Sequence, residues 1–417
     1  MKKTAGLAVG LVAATLTLPA LAAEGPVPNG VPRLEHVFVI MMENHGFGQI
    51  MNNPNAPFIN KYAKAANLGT NYFAVAHPSL TNYLEVVGGS NFGVQTDNFP
   101  DWHNATCTPN LASGKTATDN PASPLICPIA GTGVDAETPA FDFTNETQGA
   151  PGETNIDGVQ FYAAAEGTVG KTIADQLVAR HRSWKSYQEN LPVEGADLVN
   201  ISDGFYTNNT NFSTILPALT PPLSQGDIVA LYAAKHDPFV YFKSVQDGRD
   251  RDNSFANIVS FEGHGGLFSD LGSGDVPNFS FIAPNQCNDQ HGRGNAGPFC
   301  NYDPNDDGTQ AGLNPALIYR GDVTVHKLVT AIHHSRAWRD GNNAIVVVWD
   351  ENDYSLSPNN NQVVVIVDTN YGVHGISSAK RYTHFSLLRS IEAGFGLPCL
   401  NHACDSDTAV MSDLFAR

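Results

Sequence analysis

Basic residues are scarce in this 417-residue chain: 23 Lys and Arg stand against 41 Asp and Glu, a formal charge of −18 at pH 7. Phosphate backbones reward basic surfaces, so this balance argues against a nucleic-acid binder and against a general affinity for anionic membranes. One anionic substrate remains compatible with it, provided that a bound cation inverts the field locally. Long apolar runs are also missing. No stretch reaches the ~20 apolar residues of a spanning helix, which predicts no integral membrane segment in the mature chain. There is no Cys-x-x-Cys, so a structural zinc knuckle is not expected. No internal repeat occurs at solenoid periods.

What is present gives a direction. A hydrophobic content of 42% supports a sizeable core. Residues 1–23 read as a signal peptide: Lys2 and Lys3, then the apolar "GLAVGLVAATLTL", then "ALAA" as a small-residue cleavage site. The mature protein is expected to be exported, to the periplasm or the medium. Six cysteines fall in close pairs, Cys107 with Cys127, Cys287 with Cys300 and Cys399 with Cys404. In an exported protein, nearest-neighbour disulfides are the simplest of the 15 possible connectivities.

Continuous apolar runs at 36–42, 238–245, 279–283, 344–349 and 362–367 predict strands buried on both faces of a sheet. Helical patterns at 172–181, 319–338 and 383–396 alternate with them. The expected fold is therefore α/β, a doubly wound, mostly parallel sheet with its ligand site at the carboxyl ends of the strands. Residues 24–417 are expected to form a single domain. Residues 97–160 lack periodicity and read as an inserted loop or cap pinned by Cys107–Cys127. Residues 201–226 read as a second irregular excursion.

The strand ends carry the chemistry. "HVFVIMM" runs into Glu43 and Asn44, "FSFIA" into "PNQCNDQHG" with Asp289 and His291, and "AIVVVW" into "DENDY" with Asp350, Glu351 and Asp353. Any one of these is ordinarily a cap or a turn. Three on neighbouring strands would crowd like charges, which protons or metal ions must neutralise. In "HPSLTNYLEVV", Ser79 precedes a predicted helix from Leu80 to about Val87. There it either caps the helix or uses the free N–H groups to favour an alkoxide or a bound anion. "DPNDDGTQAGLN" (303–314) mimics the start of a calcium loop, but Asn314 replaces the closing Glu, so an Asp/Gly turn is expected.

"MMENHGF", "HPSLTNY", "SWKSYQENLP", "KHDPFVYF", "PNQCNDQHG", "VVWDEND" and "THFSLLRSIEAGFGLP" occur in this order over roughly residues 34 to 400. Together they resemble the bacterial phosphoesterase family of secreted acid phosphatases and phospholipases C, related to the alkaline phosphatase superfamily. The resemblance implies an alkaline-phosphatase-like fold with loop or cap insertions. It implies Ser79 as nucleophile and Glu43, Ser79, Asp350 and Glu351 as one metal site, with Asn44 touching metal or phosphate. Asp289 and His291 match a pair that holds a second ion in two-metal relatives, and His384 falls where these place a last histidine ligand. His291 or His384 would also activate water, while Asn82 and His236 belong to the phosphate pocket. His45 carries no assigned role.

The implied activity is an exported, metal-dependent phosphoric ester hydrolase. Acid-phosphatase-type phosphomonoesterase through a phosphoserine is the first reading, because the 97–160 cap has few aromatics. A phospholipase C-type phosphodiesterase is the second, and a non-catalytic binding protein of the same fold the third. An all-oxygen ligand set favours Mg²⁺, Mn²⁺ or Ca²⁺ over Zn²⁺, as one or two ions. The expected partner is a small phosphate ester or a phospholipid head group.

Overall fold

The computed structural model describes residues 24–75, 77–92, 94, 97, 100, 129, 171–191, 200–202, 205–207, 222, 231–292, 300, 315–352 and 361–417. Residues 1–23 expected as a signal peptide, the expected Cys107–Cys127 pair, nearly all of 97–160 read as an insertion, the calcium-loop-like segment, Asp353 and most of 201–226 lie outside the described residues.

The first strands are β1 (His36–Met42), β2 (Asn67–Gly69), β3 (Tyr72–Phe73), β4 (Trp184–Gln188), β5 (Asn200–Ser202) and β6 (Phe205–Thr207). They are followed by β7 (Ile258–Ser260), β8 (Phe279–Ala283), β9 (Asn343–Trp349), β10 (Val365–Thr369), β11 (Ser377–Ser378) and β12 (Tyr382–Thr383). Eight of them form one sheet in the order β11-β2-β10-β9-β1-β8-β4-β7. From β7 to β9 all neighbours are parallel, whereas β10 runs antiparallel to both β9 and β2. The sheet is thus α/β and mostly parallel, as expected, with one reversed strand.

Burial explains why the central strands are apolar throughout. Every residue of β9 is buried, as is Val37–Met42 of β1. Burying each such side chain contributes on the order of 1.5–3 kcal/mol. The longer helices pack in two groups. Ser79–Gly88 packs on His384–Phe395 and Ile173–Val178, while Pro57–Ala65 packs on Pro315–His334, which also meets Leu267–Ser273. The Ser79–Gly88 helix ends at Gly89 (φ +71°), where an added Cβ would lie 2.5 Å from the Leu400 carbonyl. Glycine alone satisfies both demands.

One strand expectation fails. Residues 238–245 form short turns, Pro238–Tyr241 and Lys243–Gln246, rather than a strand. Pro238 offers no N–H to a ladder, and Phe239 packs against both Trp184 and Phe281. The unbroken apolar run reports burial on all sides rather than a strand period. The run at 362–367 gives a strand shifted to Val365–Thr369 and reversed in direction. "WKSYQ", not expected from its pattern, is the interior strand β4. Cys287–Cys300 and Cys399–Cys404 are both bonded.

Candidate active site

The three acidic strand ends are neighbours, because β1 lies between β8 and β9. Met42 pairs with Trp349, so Glu43 and Asp350 follow side by side. The backbone locks this edge: Glu43 N–H donates to the Asp289 carbonyl (2.9 Å) and Asp350 N–H to the Met42 carbonyl (2.9 Å). Asn44 then turns the chain at φ +49°, a left-handed position that asparagine tolerates, and its N–H donates to Asp350 Oδ1 (3.0 Å).

Ser79 is the first residue of its helix and is fully buried. Its Oγ lies 3.0 Å from Glu43 Oε2 and 3.1 Å from Glu351 Oε1. The Asn44 amide, with its nitrogen toward the acids, donates to the same two oxygens at 3.1 and 3.2 Å. Glu351 Oε2 accepts from Asn82 Nδ2 (3.2 Å) and lies 2.6 Å from His77 Nδ1, a close ion-pair contact without normal hydrogen-bond geometry. One hydroxyl proton cannot serve two carboxylates at once, so the ring around Ser79 calls for a further proton or a cation.

The other oxygen of Glu43, Oε1, faces His236 Nε2 at 3.1 Å, and His236 Nδ1 faces Asp289 Oδ2 at 3.3 Å. Tyr83 stacks on the His236 ring, with centroids 5.3 Å apart. His291 donates from Nδ1 to the Gly292 carbonyl (2.7 Å), which leaves the Nε2 lone pair for Lys235 Nζ at 3.2 Å. Gln290 stands between Asp289 and His291 at φ +88°. Such strain costs about 1–3 kcal/mol, and two hydrogen bonds hold it, from Trp349 Nε1 (2.9 Å) and to the Ile318 carbonyl (3.0 Å).

These acids are out of water and beside one another. Burial, then Asp350, pushes the Glu43 carboxyl well above its ordinary range. Burial and Glu351 do the same to Asp350, and burial and Glu43 to Asp289. Burial, with Lys235 and His291 nearby, holds His236 well below the usual imidazole range. Glu43 Oε1, His236 Nε2, Asp289 Oδ2 and Asp350 Oδ2 are buried without a hydrogen bond of normal geometry. Buried acceptors left this way are costly, and a divalent cation would satisfy several together. The residues therefore fit a metal. Among the described residues, the group of three ligand atoms that close on one another, all within 4.8 Å, is Glu43, His236 and His291.

Of the residues expected from the sequence, Glu43, Asn44, Ser79, Asn82, Asp350 and Glu351 come together on one side. Asp289, His236 and His291 meet Glu43 on the other. His384 does not join them. Its Nε2–H donates to the Asp350 carbonyl (2.6 Å) and its Nδ1 accepts from the Tyr72 hydroxyl (2.8 Å), while burial lowers its pKa to about 4. Neither nitrogen retains a lone pair for a metal or for water, so His384 props the end of β9. The all-oxygen ligand set holds only around Ser79, since the closest ligand triad contains two imidazoles. Sequence reasoning missed His77, Tyr83, Asp97 and Lys235. His77 and Lys235 adjoin singled-out residues, but nothing in their spacing marks them.

The strand ends of a mostly parallel α/β sheet thus surround a buried serine with carboxylates and imidazoles. The chain belongs to the Phosphoesterase family, which it matches over residues 49–298. A phosphate-repressible acid phosphatase of Penicillium chrysogenum is 24% identical over 363 residues, covering 87% of this chain and 59% of that protein. An acid phosphatase of Aspergillus fumigatus is 23% identical over 87% of this chain and 55% of its own length. The chain thus spans little more than half the length of these fungal relatives. A phosphatidylinositol-3-phosphatase of Mycobacterium tuberculosis is 23% identical over 404 residues, 95% of this chain and 90% of that one. A solved alkaline phosphatase superfamily protein from Vibrio parahaemolyticus overlaps with a TM-score of 0.43 at 11% identity, covering 92% and 71% of the two chains. That overlap is too loose to argue from.

Proposed function

We propose that this protein is a metal-dependent phosphoric ester hydrolase, a phosphomonoesterase of acid-phosphatase type with Ser79 as nucleophile. The observation that carries the reading is Ser79 Oγ at hydrogen-bond distance from both Glu43 and Glu351 at a helix N-terminus. Family membership and the acid phosphatase relatives support the reaction class.

The cation would be held by Glu43 with His236 and His291 on one side and by Asp350 and Glu351 on the other. Bound there, it would supply positive charge that lowers the pKa of the serine hydroxyl and screens the phosphoryl oxygens. The chain's own residues do the rest. Glu43 or Glu351 takes the Ser79 proton as Oγ bonds to phosphorus and the ester P–O bond breaks, the leaving oxygen carrying off the electron pair and taking a proton from water. Asn44 orients the two carboxylates and His77 fixes Glu351. Water then cleaves the phosphoserine, releasing phosphate and restoring the hydroxyl.

Two imidazoles beside carboxylates widen the field of ions toward Mn²⁺, Fe²⁺ or Zn²⁺. Residues 1–23 and the disulfides Cys287–Cys300 and Cys399–Cys404 support an exported protein. We read residues 24–417 as one catalytic domain with a cap at about 97–160.

The test is phosphate release from an aryl phosphate monoester by mature protein and by Ser79→Ala, after chelation and add-back of single ions. Ion-dependent turnover that drops at least ~10⁴-fold in Ser79→Ala is expected. Absence of turnover with every ion, alongside hydrolysis of a phosphodiester lipid, would replace this reading with the phospholipase C one. Full activity in Ser79→Ala would remove Ser79 from the chemistry.

A further inference from the structure

The Ser79–Gly88 helix opens on the proposed nucleophile, and the Leu80 N–H in its first turn has no acceptor within the helix and suits an anion. That place already holds one. Leu80 N–H, the donor directly after Ser79, lies 3.1 Å from Asp97 Oδ1. The other oxygen of the same carboxylate, Oδ2, lies 2.9 Å from Lys235 Nζ. The pair is deep, with side chains 7% exposed for Asp97 and 10% for Lys235. Lys235 in turn reaches His291 Nε2, inside the candidate active site.

Asp97 thus differs from the acids of the centre. Glu43, Asp289, Asp350 and Glu351 crowd one another and the imidazoles, whereas the oxygens of Asp97 meet a backbone N–H and an ammonium. Leu80 N–H follows Ser79 directly in the chain, and a backbone donor beside a nucleophile is the kind of group that receives developing negative charge. A carboxylate and a phosphoryl group accept from the same donors. Exchanging one for the other leaves the buried ammonium paired, which matters because an unpaired one would cost several kcal/mol.

We propose that Leu80 N–H and Lys235 form the phosphoryl-binding pocket beside Ser79, and that Asp97 is its resident occupant, displaced when a phosphate enters. The inference rests on the reading of Ser79 as a phosphoesterase nucleophile. It adds the residues that receive the phosphoryl oxygens and a built-in competitor for them. A pocket filled from within binds its ligand more weakly by the fraction of time that it stands open. Product phosphate is weakened along with substrate, so the same device eases product release.

The experiment is calorimetric titration of inorganic phosphate into the mature, metal-loaded protein and its variants, with KM for an aryl phosphate measured alongside. Asp97→Asn keeps an oxygen for Leu80 N–H and removes the charge that competes for Lys235. It is expected to tighten phosphate binding about tenfold and to lower KM. Lys235→Met is expected to weaken phosphate at least ~10-fold, and in the double variant the gain from Asp97→Asn should vanish. Unchanged or weaker phosphate binding in a folded Asp97→Asn would make Asp97 a structural clamp and overturn the proposal. Should that variant not fold, wild-type affinity in Lys235→Met would overturn it equally. Binding requires no turnover, so the two readings fail separately. The expected affinities without Ser79-dependent hydrolysis would sink the nucleophile and keep the pocket. Hydrolysis with the opposite affinity pattern would sink only the pocket.

Discussion

His77 Nδ1 lies 2.6 Å from Glu351 Oε2, on the carboxylate whose other oxygen faces Ser79. Both side chains are buried, so the imidazole contact and the Asn82 hydrogen bond limit the directions in which Glu351 can meet Ser79, the proposed nucleophile. His77 is a positioning residue. Its replacement by Ala should lower kcat by roughly 10–100-fold, the usual cost of losing a group that orients a metal or catalytic ligand. KM should change little, because His77 does not touch the substrate. His77→Asn, which keeps a polar group beside Glu351, should recover part of the loss. A change in KM alone would count against this role.

Metal should act on stability as well as on turnover. The buried acceptors around Glu43 and Asp350 would gain partners from a bound ion. An ion at a hundredfold excess over its Kd adds about 2.7 kcal/mol to folding. Chelated protein should melt at a lower temperature, and the ion that restores activity should also restore the melting temperature. A melting temperature indifferent to chelation, in protein shown to have lost its metal, would place the ion elsewhere.

A second signature is a pH dependence outside the ligand set. Asp237 is fully buried, accepts from Ser186 Oγ (3.0 Å) and is pushed up to about 7 by burial. Its folded pKa lies above the unfolded value near 3.9, so its stabilisation is complete below that value and is lost as pH rises through 7. Between about pH 4 and 7, stability should fall by up to ~1.4 kcal/mol per unit from this group. Asp237→Asn cannot ionise, so urea titrations of chelated parent and variant should show a shallower fall in the variant. Parallel curves would mean that Asp237 stays ionised in the folded state.

The part of this site legible in the sequence is the part built from abrupt changes of polarity. β1 and β9 announce themselves as unbroken apolar runs that stop at Glu43 and Asp350, and a parallel sheet brings such ends to one edge. Ser79 was legible through its motif and its place before a helical pattern. Lys235 and Asp97 were not, since their pairing joins positions 138 residues apart and neither lies on a periodic face. The error at 238–245 has the same root. Apolar runs record burial, and burial is shared by strands and by turns packed between aromatic rings. His384 shows the opposite failure: its type and position suggested a ligand, and only the partners of both nitrogens reveal a prop.

The pairing of His36 with Asn343 and of Met42 with Trp349 places the first strand of the chain against one made some 300 residues later. Ribosomes add roughly 5–20 residues per second, so Glu43 waits on the order of 15–60 s for Asp350 to be synthesised. During that interval the nucleophile has emerged while β9 is still missing, and the carboxylate cage is open on one side. If the proposed function holds, hydrolytic competence would arrive only with the last third of the polypeptide. A chain cut short before β9 would carry Ser79 and Glu43 without Asp350 and Glu351.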